Sequence, residues 1–405
     1  MSMKIMKHIS TGTFQSNIKK MYLLKFLYNT YFYSAVIVPF YTEWGGIKFS
    51  QILFLNAWFM TWNFLLEIPT GTVADFLGRK VSLFLGCIVG GLGALVYASF
   101  PNFTVFMAAE VIFSFSYTLL SGADEALVYD SLKETGQTHL SKKVFSRMES
   151  FKLTGIVFGA VTGGFIARYL GLRMPMFLHV VPLTFAGLLA ASLKEPQISG
   201  EKPTASFRSY CKLLTGGVKY FWRSKTLKIL TLDMVAVFAI AWIIIWFYQA
   251  LLKSAGIDIA YFGIVHAFMS LSQILVINNF MRLEKWLKSK KRLLFLSAFL
   301  TGVFFILLGL TTAAPLVVGG IILASAFGLS RGPLFSSYMN KYIPSDKRAT
   351  VLSTTSMLRT FAIVVVNSIS GLLADWSIPN TLLILGAAAI AFSFLSRIKE
   401  EDLID

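Results

Sequence analysis

Charge is scarce in this chain of 405 residues. Asp, Glu, Lys and Arg together make up 14% of it, and only 20 residues are acidic. A soluble globular protein carries about 25% charged residues, so the composition excludes an ordinary soluble enzyme. Hydrophobic residues make up 56% of the chain and include 37 phenylalanines. The sequence therefore predicts a protein whose main solvent is the lipid bilayer.

Residues that carry redox, metal or nucleophilic chemistry are also few. The two cysteines, Cys87 and Cys211, form neither a metal-ligand spacing nor a disulfide framework. His179 and His266 are isolated, and we interpret them as helix-packing residues. The chain contains no P-loop and no Gly-x-Ser-x-Gly or His-Glu-x-x-His motif. We therefore expect no catalytic residues, no metal, no cofactor and no direct use of ATP.

Long apolar runs dominate what is present. A membrane-spanning helix needs about 20 mainly apolar residues. Runs of that length lie at residues 21–42, 49–71, 81–100, 103–129, 147–170, 174–193, 226–252, 257–280, 293–311, 315–342, 349–373 and 378–396. The pattern predicts an all-α membrane protein with twelve transmembrane helices.

The longest polar stretch divides these runs into six and six. We predict an N-terminal six-helix domain at 1–193, a cytoplasmic linker at 194–225 and a C-terminal six-helix domain at 226–405. Apolar residues alternate with lysines over 207–221, as in an amphipathic helix on the inner leaflet. The halves also resemble each other, because Lys152 and Gly164 match Arg359 and Gly371 at an offset of 207 residues. Two pseudo-symmetric domains are typical of transporters that rock around a central site.

The net charge of +17 follows from topology. With both termini inside, the predicted inner segments hold 29 basic residues and the outer loops hold four. Cytoplasmic loops of membrane proteins are rich in Lys and Arg, so we expect both termini to lie in the cytoplasm. We expect the membrane to be the plasma or inner membrane of the cell. A nucleic-acid partner is not needed to explain the charge. Four basic residues lie within the spans instead: Lys25, Lys152, Arg331 and Arg359.

A ten-residue motif follows the second span. It reads Gly71-Thr-Val-Ala-Asp75-Phe-Leu-Gly78-Arg79-Lys80, and we predict a cytoplasmic loop over 72–80. Glycines permit a tight turn and close helix approach, and an aspartate neutralises the positive end of a neighbouring helix. Arg79 is expected to pair with an acid at a nearby helix end, with Asp130 as the candidate. A purely topological turn is the alternative.

This motif and the six-plus-six layout resemble the major facilitator superfamily (MFS) over nearly the whole chain. The resemblance implies that the cluster of Gly71, Asp75, Gly78, Arg79 and Lys80 latches the outward-open state and releases it during alternation. It also implies that helices 1, 4, 7 and 10 line the substrate cavity.

A second motif lies in the fifth span. Gly155, Gly159, Gly163 and Gly164 form a stripe of small residues that permits close helix packing. Ordinary packing is one interpretation. The spacing also resembles the antiporter signature of the drug/proton antiporters, although Ala160 stands where that signature has proline. The resemblance favours export.

Ionisable residues inside spans are costly and are functional candidates by default. The acids are Glu67, Glu110, Asp124, Glu125, Glu149 and Asp233. As proton-coupling candidates we take Glu67, Asp124, Glu149 and Asp233. Glu149 precedes Lys152 by three residues, so it is the one that we expect to form a structural ion pair on one helix face.

Candidates for the substrate cavity come from the predicted cavity-lining helices and the intramembrane cations. They are Asn29, Tyr33, Lys152, Trp242, Arg331 and Arg359. The two arginines are suited either to an anionic substrate group or to pairing with the acids, and the sequence leaves both open.

These features predict a secondary transporter, monomeric, that exports small amphipathic organic molecules by alternating access in exchange for protons. The alternatives are a symporter or uniporter, or an exporter of an anionic metabolite, siderophore or lipid-like substrate. A polytopic membrane enzyme is a remote alternative that would need a nucleophile or His/Asp constellation.

Overall fold

The computed structural model describes residues 2–195, 219–343 and 348–403. Every regular element in these residues is helical. Most of the predicted linker lies outside the described residues, including Cys211 and nearly all of the predicted amphipathic helix.

The long helical segments, numbered α1 to α12 in chain order, lie close to the twelve apolar runs. They are α1, Ser2–Tyr28; α2, Phe49–Leu77; α3, Arg79–Tyr97; α4, Phe103–Glu134; α5, Thr138–Leu170; α6, Met174–Ala191; α7, Lys225–Ser254; α8, Ile259–Asn278; α9, Lys290–Leu310; α10, Ala314–Lys341; α11, Arg348–Trp376; and α12, Ile378–Leu395. Within the described residues, ten of them, from α3 to α12, are long and apolar enough to cross a bilayer. A short amphipathic helix, Phe280–Leu287, precedes α9.

Short polar side chains fix where several of these helices begin. The side chains of Asn102, Ser224, Ser289 and Ser377 accept hydrogen bonds from backbone amides in the first turns of α4, α7, α9 and α12. Such caps satisfy amides that have no partner within the helix. Between the caps, the helical stretches of each segment satisfy their own backbone hydrogen bonds, as a lipid environment requires.

The first span is not one continuous helix, contrary to the prediction for 21–42. It ends at Tyr28, passes through turns, and becomes helical again at Ile37. The reason is local: Asn29 Nδ2 donates to the Lys25 carbonyl at 2.8 Å, and Thr30 Oγ1 donates to the Phe26 carbonyl at 2.8 Å. Asn and Thr side chains at these positions compete with the helical backbone for its hydrogen-bond partners.

The predicted cytoplasmic loop over 72–80 is also wrong. Helix α2 continues through Leu77, and α3 begins at Arg79. Gly78 alone makes the turn, with φ of +94°, a value that residues with a Cβ atom rarely adopt. Gly71 serves no close approach among the described atoms, because a Cβ added there would meet nothing within 4 Å.

The helices form two compact units. Unit 1 comprises 1–47, 58–205 and 259–263, and unit 2 comprises 48–57, 206–258 and 264–405. In unit 1, α3 packs against α4 and α6, and α1 packs against α5. In unit 2, α9 packs against α10 and α12, and α7 packs against α11. Each unit therefore repeats the same helix pairings six helices later in the chain, while the predicted domain boundaries stay a prediction.

Candidate substrate and proton sites

In unit 1, an ion pair joins α1 to α4. Lys25 Nζ contacts Asp124 Oδ2, and Asp124 is only 6% exposed. Asp124 stands directly after a break in α4 at Ser121 and Gly122, where Gly122 has φ of +76°. The break frees the amides at the start of the second half of α4, so the carboxylate lies at the positive end of a helix. The carboxylate of Asp124 thus has two positive neighbours, the Lys25 ammonium group and the helix end.

In unit 2, a second ion pair joins α7 to α10 with the charges exchanged. Arg331 Nη2 contacts Asp233 Oδ1, and Arg331 is 1% exposed. The Nη1 atom donates to the Leu294 carbonyl at 2.6 Å and to Ser297 Oγ. Arg331 and Asp124 are 207 positions apart, and Asp233 and Lys25 are 208 apart. The duplicated positions thus hold an ion pair in each unit, with acid and base on opposite helices.

The other two intramembrane cations differ from this pair. Lys152 contacts Glu149 on the same helix face at 2.9 Å, and both side chains are exposed. Arg359 forms no ion pair with any described residue; its guanidinium lies 5.4 Å from the Phe238 ring and donates to Ser356 at 3.3 Å. Arg359 is therefore the intramembrane cation that has no carboxylate partner among the described residues.

The glycine stripe of α5 packs on the backbone of α1 where that helix is interrupted. A Cβ at Gly159 would lie 2.6 Å from the Tyr31 amide nitrogen, and one at Gly155 or Gly163 would run into the backbone of Phe26 or Phe32. Gly155 therefore contacts the last turn of α1, and Gly159 and Gly163 contact the non-helical backbone that follows Tyr28. Gly164, the fourth glycine of the stripe, instead faces the Ala260 carbonyl of α8. Interrupted helices commonly form the binding sites of transporters, because their backbone groups are free to bind ligands.

Aromatic and amide side chains surround this interruption. Asn29 is buried and accepts a hydrogen bond from the Tyr31 hydroxyl at 3.0 Å. Tyr33 lies edge-on to the His179 ring, with the centroids 5.0 Å apart. His179 Nδ1 lies 3.1 Å from the Thr30 carbonyl. Since a carbonyl only accepts hydrogen bonds, Nδ1 carries the proton.

The predicted cavity residue Trp242 lies in unit 2. Its indole stacks on Phe238, and its Nε1 has no hydrogen-bond partner among the described residues.

Glu110 has the most unusual surroundings of the intramembrane acids, and sequence reasoning did not select it. Its Oε1 accepts from the Tyr97 hydroxyl at 2.6 Å and from the Tyr41 hydroxyl at 3.3 Å. The two tyrosine hydroxyls are 2.7 Å apart, and both tyrosines are at most 2% exposed. Phe40 and Phe106 pack around them. No described basic residue pairs with Glu110, so the site holds an acid among hydroxyls and aromatic rings.

The remaining proton candidate, Glu67, is exposed and has no ion-pair partner in the described part of the chain. Glu125 is likewise exposed, on the side of α4 away from Asp124. By contrast, Asp124, Glu149 and Asp233 all pair with cations. The absence of a basic residue one helical turn away does not distinguish Glu110 from Glu67, Asp124 or Asp233, so the sequence carries no signal that selects it.

At the α2/α3 junction, Arg79 contacts Asp130 and also donates to the Ala126 carbonyl at 2.8 Å. The Glu195 carboxylate accepts from the backbone amides of Arg79 and Lys80, each at 2.8 Å. This carboxylate, which the sequence analysis missed, neutralises the positive end of α3. The side chain of Asp75 lies outside the described residues.

Unit 2 repeats this cap. Glu400 accepts from Ser289 Oγ and from the amides of Lys290 and Lys291 at 2.7 to 3.0 Å. Burial by itself would raise the pKa of the Glu400 carboxyl. These hydrogen bonds and the charge of Lys290 together outweigh burial, so the pKa lies below its usual value. In both units, a carboxylate that follows the last long helix thus caps the start of the third long helix, which is α3 in unit 1 and α9 in unit 2.

With this geometry established, comparison with known proteins places the chain in a family. The model of the Major Facilitator Superfamily matches residues 22–367. The chain belongs to this superfamily of membrane transporters, and it is a multi-pass membrane protein rather than an enzyme.

Two curated relatives differ in how much of them is matched. The quinolone resistance protein NorA of Staphylococcus aureus (strain MRSA252) is 28% identical over 153 residues, which are 38% of this chain and 36% of NorA. The chain therefore matches about a third of the length of that relative. The uncharacterized MFS-type transporter YxaM of Bacillus subtilis (strain 168) is 20% identical over 88% of this chain and 90% of its own length.

Solved structures share the fold across nearly the whole chain. The nucleoside transporter NupG has a TM-score of 0.79 at 14% identity and covers 95% of this chain and 100% of its own. A D-xylose-proton symporter has a TM-score of 0.69 at 17% identity and covers 95% and 97%. At such identities the likeness concerns the fold alone.

Proposed function

We propose that this transporter is a proton-coupled exporter of small amphipathic organic molecules. The single observation that carries the coupling is Glu110, an acid inside a membrane helix with tyrosine hydroxyls and no basic residue as its partners. A carboxyl group in such surroundings exchanges a proton at lower cost than one that is held charged by an ion pair. Protonation then biases the conformational equilibrium, as does any ligand that binds two states differently.

The position of Glu110 fits this role. It lies seven residues after the start of α4 at Phe103, roughly 10 Å into the helix, on the side that we predict to be extracellular. A proton that enters from outside would meet this carboxyl first. The acids paired with Lys25 and Arg331 then have a structural role, so Glu110 replaces Asp124 and Asp233 as the preferred proton site.

Support for export comes from two sources. The glycine stripe of α5 has antiporter-like spacing, and a region of the chain is similar to a protein named for quinolone resistance. The unpaired Arg359 favours a second candidate, an exporter of an anionic organic molecule. A panel of cationic dyes, quinolones and organic anions distinguishes the two candidates.

Transport by the full chain in proteoliposomes tests the proposal. We expect an imposed proton gradient to speed substrate movement, and Glu110→Gln to reduce that stimulation at least about tenfold while substrate binding stays within about twofold, since amide and acid are nearly isosteric. Glu125→Gln, which removes an exposed acid from the same helix, is the matched control. Transport that ignores the gradient for every compound would disprove proton coupling; normal stimulation in Glu110→Gln would disprove the site alone.

A further inference from the structure

A cavity opens beside α7 and α12 in unit 2, and Asp233 is the one residue of the Arg331 ion pair that reaches it. Its volume is about 390 Å³, and its lining includes Lys228, Asp233, Leu232, Phe392, Leu395 and Arg397. Lys228 lies one turn into α7, and Arg397 lies two residues beyond the end of α12. The cavity is therefore at the helix ends that the charge distribution predicts to be cytoplasmic.

The two cations of this cavity are available to a ligand. Neither Lys228 nor Arg397 forms an ion pair or side-chain hydrogen bond with any residue that the structure describes. The acid in the lining, Asp233, already contacts Arg331, and it lies five residues deeper along α7 than Lys228. The mouth of the cavity is therefore positive, and the negative charge below it is compensated.

The apolar part of the lining distinguishes a lipid from a soluble anion. Leu232 and Leu395 are 69% and 70% exposed, and Phe392 is 42% exposed. They continue from the two cations along the helices towards the bilayer interior. A phosphate group between Lys228 and Arg397 would thus place an attached acyl chain on these side chains, which a free phosphate would leave uncovered.

A second cavity in the same unit provides a comparison. It has a volume of about 490 Å³ and lies at the opposite ends of α7 and α12, among Ser254, Thr311, Ala374 and Pro379. Its described lining contains no charged residue. Space between helix ends is therefore not enough to produce the cation pair at the first cavity.

We propose that the cavity between Lys228 and Arg397 binds the headgroup of an anionic phospholipid, whose acyl chain lies along Leu232, Phe392 and Leu395. Basic pockets between membrane helices on the cytoplasmic side recognise such headgroups. Each cation near an anionic lipid surface contributes about a fivefold preference, so two of them should give at least about tenfold.

Native mass spectrometry of the full chain in detergent, titrated with dioleoylphosphatidylglycerol or dioleoylphosphatidylcholine, tests this site. We expect the first phosphatidylglycerol to bind at least about tenfold more tightly than phosphatidylcholine. The double variant Lys228→Gln/Arg397→Gln should bring the two lipids within about twofold of each other. The control Lys285→Gln/Lys341→Gln removes two exposed cations of the same unit and should retain the preference.

Four results would overturn the proposal. The first is equal affinity of the wild-type protein for both lipids, and the second is a Lys228→Gln/Arg397→Gln variant that keeps the preference for phosphatidylglycerol. The third is an equal loss of preference in the control. The fourth is displacement of phosphatidylglycerol by excess glycerol 3-phosphate, which would show that the cations recognise free phosphate. Unfolding midpoints measured in phosphatidylcholine alone verify that both double variants fold as the wild type does.

Discussion

At the scale of single residues, the buried guanidinium of Arg331 is the most constrained charge in the described chain. Its Nη1 and Nη2 donors meet Asp233, Ser297 and the Leu294 carbonyl, while its buried Nε has no hydrogen-bond partner among the described residues. The charge, which would be costly in an apolar interior, is thus matched by the Asp233 carboxylate. A buried pair of this kind adds little net stability, but removal of one partner leaves the other charged and uncompensated. The arrangement fixes α7 against α10 and Arg331 against α9.

This asymmetry gives a testable prediction. Asp233→Asn should lower the free energy of unfolding by about 3 to 5 kcal/mol, because Arg331 then remains buried without a counter-ion. The double variant Asp233→Asn/Arg331→Gln should be less destabilised than the single one, since no uncompensated charge remains. Unfolding midpoints in detergent measure both, with the exposed Glu401→Gln as control. A double variant whose loss equals the sum of the two single losses would contradict this account.

At the scale of elements, the interruption of α1 and the glycine stripe of α5 depend on each other. The turn at Asn29 and Thr30 brings the α1 backbone out of its helical path, and only glycines opposite it leave room for that backbone. The stripe was interpreted from its spacing as close packing or as an antiporter signature. The structure shows the close packing, with Gly159 and Gly163 against the non-helical backbone of a candidate binding site. The antiporter signature stays a prediction.

Addition of one methyl group tests this dependence. In Gly163→Ala the new Cβ would run into the Phe32 carbonyl, so we expect a loss of about 1 to 3 kcal/mol in stability together with reduced transport. Gly319→Ala makes the same change in α10, where nothing lies within 4 Å, and should leave both unchanged. Thermal unfolding and proteoliposome transport are the measurements, and equal behaviour of the two variants would disprove the close contact.

At the scale of the whole molecule, the two units repeat helix pairings, buried ion pairs and carboxylate caps. Glu195 holds the start of α3, and Glu400 holds the start of α9. Arg79 and Asp130 add to unit 1 an ion pair at the α2/α3 junction. We propose that this pair stabilises one conformation of the transport cycle, as the resemblance to the superfamily implies.

Arg79→Ala should therefore slow transport by about tenfold, while substrate affinity changes less than about twofold. The reason is that the contact with Asp130 lies at a helix end and touches none of the candidate substrate residues. Lys133→Ala removes an exposed cation from the same region of α4 and serves as control. Transport rates under a fixed gradient, together with equilibrium binding, measure the effect. An unchanged rate in Arg79→Ala would disprove the gating role.

The sequence by itself determined the class of protein and the course of its spans. Apolar runs and the distribution of basic residues are local properties, and in lipid a helix must satisfy its own backbone, so hydropathy alone locates the spanning segments. The motif around Arg79, which indicates the family, is also a local property, because its residues are contiguous in the sequence. These predictions needed no knowledge of which helix faces which.

Only the tertiary structure decided which charges meet and where helices break. Asp124 and Asp233 are both proton-coupling candidates in the sequence, and only the structure shows that Lys25 and Arg331 lie beside them. The proposed role of Glu110 rests on its contacts with Tyr41 and Tyr97, which lie 69 and 13 residues before it in the chain. Such partners depend on the rotation and neighbours of each helix, and no periodicity within a single span encodes them.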